Sequence, residues 1–390
     1  MISKICIITG SRAEYGLLKN LIFLLKKERS FSLKLIVTGS HMSKKFGYTL
    51  NDIYRDNLNI DFKIKYNLKN DEPKNIAIEL GKAFKNFSIA YQKLRPDLIM
   101  VLGDRYELMP AVYTASIFKI PIAHIHGGEL TMGSMDDATR HAITKLSHLH
   151  FVANKIYKNR IIQMGEESSK VFNVGGMGVD AIRKEKFFTK RIIEKKFNLK
   201  FKNKNLLVSY HPETIDRNKN KINFNELLKA IEANKNIFYI FTYPNADTGN
   251  NEIIRLIKKF CKKNKAFCVS FKSLGNKNFW SILNIVDGII GNSSSGILEA
   301  PTLKKISINI GDRQANRLCA KSVINCLPKK KEIIKAIKKL YSLDFNSSIK
   351  NFNSPYGNGG ASIKIIKILK NLKFDKLYKK KFIDKKLWKI

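Results

Sequence analysis

The stretch LIMVLGDRYELMPAVYTASIFKIPIAHIHGGE, residues 98–129, holds the key to the fold. Two short apolar runs, 98–102 and 122–125, read as β-strands buried on both faces, and each ends abruptly in polar residues. The first runs into a glycine turn, Leu102-Gly103-Asp104, followed by Arg105; the second runs into His126-Gly127-Gly128-Glu129. Working outward, the same unit recurs. In the first half, strands are expected over 4–9, 33–38, 150–153 and 171–174, separated by helical stretches at 15–27, 76–94, 138–146 and 156–164. Short β-rich runs alternating with longer amphipathic segments imply parallel sheets with crossover helices. Strand character fades between Gly175 and Lys204, which marks a linker. It returns at 206–210, 238–242, 266–270, 288–290 and 306–309, with helices at 224–233, 252–262 and 279–286 between them.

The fold class expected is therefore α/β, two Rossmann-like domains with a cleft between them. The divisions are 1–180 for the N-terminal domain and 200–362 for the C-terminal domain. A basic helical tail follows at 363–390, with Ile363, Ile366, Leu369 and Leu372 as its apolar stripe. At 390 residues the chain is too long for one ordinary core and suits two.

Composition narrows the function. The formal charge of +40 invites a nucleic-acid reading, yet the lysines are scattered over almost every helix and loop. No zinc-finger spacing, RNP-like motif or helix-turn-helix signature accompanies them, so a solvated lysine-rich surface is expected, with no nucleic-acid partner. The five cysteines (Cys6, Cys261, Cys268, Cys319, Cys326) form no C-x-x-C pair and read as reduced thiols. The N-terminus lacks the features of a signal peptide, and no apolar run approaches the length of a membrane span. A cytoplasmic protein with no membrane insertion is expected.

In open α/β sheets ligands bind at the carboxyl ends of the strands. The polar clusters fall there: Ser11-Arg12, Asp104-Arg105, His126–Glu129, His211, and Asn292-Ser-Ser-Ser-Gly296. Small residues at the last of these let backbone N–H groups approach a diphosphate at a helix start, although plain serine capping reads equally well for that segment alone. Arg12 offers a fork suited to phosphate. Glu299, one turn into the helix, suits ribose hydroxyls or is an ordinary first-turn acid. Asp104, Glu129, Asp136 and Asp137, with His126 and His211, supply the acids and imidazoles that proton transfer at carbon requires. His124-x-His126 and His148-x-His150 could each put two imidazoles on a strand face. His124 lies in an apolar strand and the second pair has no carboxylate beside it, so His124, His148 and His150 are expected to be buried or hydrogen-bonded, with no metal. There is neither a three-glycine dinucleotide fingerprint nor a Walker lysine, and no cofactor is expected.

Taken together, TGSRAEYG (9–16), VLGDRYE (101–107), HIHGGE (124–129), DDATRHAITKLSHLH (136–150), HPET (211–214), NADTG (245–249), GNSSSGILEAP (291–301) and NIGDRQ (309–314) resemble the hydrolysing UDP-N-acetylglucosamine 2-epimerase family. The resemblance spans nearly the whole chain in the right order. It implies a GT-B-like fold, a nucleotide sugar held between the domains, and a homo-oligomer. It further implies nucleotide contacts from Arg12, His211, Ser293, Ser294, Glu299 and Arg313, and a sugar pocket that includes Asp104, Asp136 and Arg140. Many relatives carry a catalytic Glu where this chain has His126, with a further Glu matching Glu129. The acid and the base are thus left open among Asp104, His126, Glu129 and Asp136, with His211 as a further catalytic candidate. The activity implied is release of N-acetylmannosamine and UDP by elimination to a glycal and hydration, in nonulosonic (sialic-type) acid synthesis. The alternative is the same chemistry on UDP- or GDP-N,N'-diacetylbacillosamine for legionaminic acid, a subgroup that residues 128–137 and 241–250 also suit. A GT-B glycosyltransferase stands behind both.

Overall fold

The computed structural model describes residues 2–43, 48–66, 72–131, 135–212, 217–244 and 250–384. They form two compact units. One comprises Met1–Glu129, Met135–Ala181 and Gly359–Ile390; the other comprises Leu130–Ser134 and Ile182–Asn358.

The first unit is built on a seven-stranded sheet. Its strands are β1 (Ser3–Thr9), β2 (Phe31–Val37), β3 (Phe62–Lys63), β4 (Leu98–Leu102), β5 (Ile122–Ile125), β6 (Leu149–Val152) and β7 (Val171–Asn173), in the order β3-β2-β1-β4-β5-β6-β7. Every pairing is parallel. Parallel strands sandwiched by crossover helices must be apolar on both faces, and β4, β5 and β6 are buried at every residue. The strand order reverses between β1 and β4, and the loops leaving those two strands flank that switch point, where such sheets bind ligands.

The second unit repeats the design with β8 (Asn205–Ser209), β9 (Phe238–Thr242), β10 (Cys268–Phe271), β11 (Gly288–Gly291), β12 (Ile306–Ile310) and β13 (Val323–Cys326), in the order β10-β9-β8-β11-β12-β13. All pairings are again parallel. Its switch point lies between β8 and β11. The expected α/β class and its pair of Rossmann-like sheets are thus present.

Two details differ from the sequence reading. The stretch read as a linker holds the helices Met177–Lys184 and Lys190–Phe197, the second burying Ile193 against its own unit's core. Of the stripe expected on the tail, Leu369 is buried and Ile366 and Leu372 pack against the same core, but Ile363 does not. Helix Ala361–Lys370 buries Ala361, Ile365 and Leu369, a spacing of four, and leaves Ile363 55% exposed. That face packs in one apolar cluster with Leu18, Leu21 and Leu25 of helix Arg12–Lys27. Asp180, 1% exposed, anchors the helix start by accepting the N–H groups of Gly360 at 2.7 Å and Ser362 at 3.1 Å. Among the described residues no helix is long and apolar enough to cross a membrane, and all five cysteines are free thiols.

Candidate active site

The rim of the first unit starts at the end of β1. Ser11 caps helix Arg12–Lys27: its Oγ accepts the Glu14 N–H at 3.3 Å, while the Glu14 carboxylate accepts from Ser11 Oγ at 3.1 Å and the Gly10 N–H at 2.7 Å. This is a variant of the capping box that Ser11-x-x-Glu14 announces in the sequence, with the Gly10 N–H taking the place of the N-cap's own. Burial pushes the Glu14 carboxyl up to about 7, against the pull of the Gly10 N–H and the Arg105 guanidinium. Arg105 itself donates to the buried Glu107 carboxylate through Nε and Nη2. Arg12 lies on the rim with its side chain 45% exposed and its Nε 3.3 Å from Asp52.

The densest cluster gathers where β4 and β5 end. Arg140, on helix Met135–Leu146, is 3% exposed; one nitrogen donates to the His126 carbonyl at 2.9 Å and another to the Asp104 carboxylate. Its Nη1 lies 3.6 Å from Glu129 Oε2. Glu129 Oε1 lies 3.1 Å from His126 Nδ1, and His126 Nε2 accepts the Met177 N–H at 3.1 Å. Four of the expected residues, Asp104, His126, Glu129 and Arg140, therefore share one knot. The turn that makes it possible needs its glycines. Gly128 has φ +75°, and a Cβ there would sit 2.6 Å from the Tyr157 carbonyl. Asp136 is half-buried at the start of the helix that carries Arg140, within electrostatic reach of Arg105. The histidines read as structural are each hydrogen-bonded. His124 bridges Thr144 and the Gly103 carbonyl, His150 meets Glu166, and His148 accepts the Ile122 N–H.

On the second unit the rim is organised by Asn292, which is fully buried at the end of β11. Its side chain clamps the His211 peptide both ways, accepting its N–H at 2.7 Å and donating to its carbonyl at 2.8 Å. Its own carbonyl accepts from Arg313 at 3.2 Å and Gln314 at 3.0 Å. His211, Asn292 and Arg313 are thus tied together across the β8–β11 switch point. β8 and β11 approach so closely that a Cβ on Gly291, at φ +144°, would fall 1.9 Å from the Ser209 carbonyl. Ser293 Oγ accepts the Ser295 N–H at 3.3 Å, whereas Ser294, directly before helix Ser295–Thr302, makes no side-chain cap. Glu299 meets Ser295 and Trp280 with burial raising its pKa, and its Oε2 is buried with no hydrogen-bond partner among the described residues. A buried carboxylate oxygen without a donor is costly unless a ligand supplies one. Residues 213–214 of HPET and the whole of 245–249 lie outside the described residues.

Four buried imidazoles leave a signature in stability. Burial lowers His41 to about 4, His124 to about 3, His148 to about 4 with help from Lys380, and His211 to about 3 with help from Arg313. Each stays neutral in the fold while the unfolded chain takes up a proton near 6.5. Below that pH the unfolded state binds more protons, so stability falls on acidification towards the folded values. Each histidine costs about 1.4 kcal/mol per pH unit well below 6.5. Glu14 acts the other way, because the fold binds its proton between the ordinary carboxyl value and about 7. Four groups outweigh one. Denaturant titrations are expected to show stability decreasing steadily from pH 6.5 to 4.5, and a flat profile would contradict this assignment of protonation states.

Comparison with known proteins decides the family. A sequence profile described as UDP-N-acetylglucosamine 2-epimerase matches residues 24–370. The chain belongs to that family. A GDP/UDP-N,N'-diacetylbacillosamine 2-epimerase (hydrolyzing) of Campylobacter jejuni is 40% identical over 98% of this chain and 99% of its own. A UDP-N,N'-diacetylbacillosamine 2-epimerase (hydrolyzing) of Legionella pneumophila is 32% identical over 95% and 97%. The fold agrees with the crystal structure of UDP-GlcNAc 2-epimerase from Neisseria meningitidis bound to UDP-GlcNAc, with a TM-score of 0.81, 21% identity and coverage of 94% of this chain and 100% of that one. This family member is accordingly an enzyme of the hydrolysing sugar-nucleotide 2-epimerase type with a GT-B-like fold. Sequence reasoning placed Asn292 at the rim and Glu14 and Gln314 inside motifs but gave them no role of their own, and it passed over Met177; all four act through the contacts described.

Proposed function

We propose that this epimerase-family chain hydrolyses UDP- or GDP-N,N'-diacetylbacillosamine, inverting carbon 2 and releasing the free 2-epimeric sugar and the nucleoside diphosphate. The observation that carries the reading is the 40% identity to the Campylobacter enzyme over essentially the full length of both chains. A second reading, UDP-N-acetylglucosamine giving N-acetylmannosamine and UDP, is favoured by the description of the matching family profile.

The chemistry is common to both. Carbon 2 is not next to a carbonyl, so its proton leaves only as a leaving group departs. A carboxylate takes the C2 proton, the C1–O bond to the diphosphate breaks, and a C1=C2 glycal forms. Water then adds its oxygen at C1, and a second acid returns a proton to C2 from the opposite face. Water's remaining proton recharges that donor. Asp104, His126, Glu129 and Asp136 are the candidates for the two proton-transfer roles. Asp104 and Glu129 share the buried Arg140. Arg12, Arg313, His211, Ser293 and Ser294 are proposed to hold the diphosphate, whose growing charge they stabilise as it leaves. The unmatched Glu299 oxygen suits a ribose hydroxyl.

The test is a comparison of kcat/KM for the three nucleotide sugars, followed by nucleotide release with no acceptor present. A preference of about 10²-fold or more for a diacetylbacillosamine donor is expected, the scale on which a pocket separates analogues that differ by a small group. A preference for UDP-N-acetylglucosamine establishes the second reading. Release of nucleotide only when an acceptor is added would make the chain a glycosyltransferase.

A further inference from the structure

The two ring nitrogens of His126 have different neighbours. Nε2 accepts the backbone N–H of Met177 at 3.1 Å, so the partner assigns the ring proton to Nδ1. Nδ1 in turn faces Glu129 Oε1 at 3.1 Å. The backbone holds the ring in that pose. His126 has φ +65°, its N–H donates to the Phe151 carbonyl at 2.9 Å, and its carbonyl accepts from Arg140 at 2.9 Å. A neutral imidazole whose only lone pair is taken by a main-chain amide has none left to accept a substrate proton.

Glu129 is in the opposite situation. It is 4% exposed, returned by the Gly127-Gly128 turn to the side of Arg140, and lies between the imidazole, 3.1 Å from one oxygen, and the guanidinium, 3.6 Å from the other. Arg140 holds Asp104 with its second nitrogen. We infer that His126 is a positioning residue that aims Glu129, and that Glu129 and Asp104, bracketing Arg140, are the two carboxyl groups that carry the proton transfers. This rests on the 2-epimerase reading for its chemistry, but the geometry of the imidazole stands apart from it.

Two measurements test it. Long-range ¹H–¹⁵N NMR of the full chain, with the His126 signals assigned by their loss in His126→Asn, reads the tautomer without any substrate. The Nδ1–H tautomer is expected. An Nε2–H ring overturns the inference whatever the enzyme acts on. In kinetics, Glu129→Gln is expected to lose about 10³-fold in kcat with KM within about threefold, the scale of a missing general acid or base. His126→Ala loses about 10²-fold, because Glu129 is no longer aimed. His126→Asn puts an amide N–H near the place of Nδ1 on a residue that accepts a left-handed backbone, and it recovers kcat to within about tenfold of wild type. Equal losses in His126→Asn and Glu129→Gln would return the imidazole to the chemistry and sink the positioning role. A wild-type chain that releases no sugar from any of the three donors defeats the proposed function, while the tautomer still decides the geometry.

Discussion

Asp104→Asn is expected to stop sugar release while the nucleoside diphosphate still binds. Asp104 stands two residues beyond the end of β4, where its carboxylate meets Arg140 and its side chain remains 21% accessible. Asparagine keeps the shape and an oxygen for the guanidinium but cannot take a proton from carbon. Loss of a general acid or base costs about 10²–10⁴ in rate, so kcat is expected to fall by about 10³ or more. The proposed diphosphate contacts His211, Ser293 and Arg313 belong to the other unit, organised by Asn292. The dissociation constant for UDP, measured by calorimetry, is therefore expected to stay within about threefold. Unchanged kcat would remove Asp104 from the mechanism. Lost activity together with lost UDP binding would point to a collapsed site instead.

Arg140→Met carries the largest expected effect on stability. The guanidinium is buried and bonded to a backbone carbonyl, and it is the cation shared by Asp104 and Glu129. Methionine fills much of the space but strands two carboxylates in a poorly hydrated site. Breaking a buried pair by removing one partner costs about 3–5 kcal/mol, and the variant is expected to unfold at a correspondingly lower denaturant concentration at pH 7.5. Lysine at this position would not restore the site, since a point charge cannot reach both carboxylates and the carbonyl as the planar fork does. A variant as stable as wild type would show that the knot is not a structural unit.

The sequence was most legible where the fold is most local. Strands such as β4 and β5 are buried at every position, with His124 the one polar residue between them, and stop at polar turns, so their limits could be read directly from residues 98–102 and 122–125. Their rims followed from the rule that parallel sheets bind ligands at strand ends. What escaped was short or non-local. β3 spans only Phe62 and Lys63, and β13 alternates burial at the sheet edge, so neither offers an apolar run. Helix Met109–Ile117 buries Pro110, Ala111, Val112, Thr114 and Ala115, which leaves it no amphipathic period to detect. Asn292 reads as a glycine-serine loop residue, and its clamp on His211 closes over 81 residues of sequence. The role of His126 could not be read at all, because it depends on a backbone amide 51 residues away.

The central claim is elimination and hydration at a nucleotide sugar, and proton NMR of the turnover in heavy water tests it most directly. With UDP-N,N'-diacetylbacillosamine, or with the GDP or N-acetylglucosamine donor that proves preferred, the account predicts a free sugar inverted at carbon 2. It also predicts one deuterium at that carbon, with one nucleoside diphosphate released per sugar. A product that keeps its original C2 proton, or a sugar released without inversion, would contradict it.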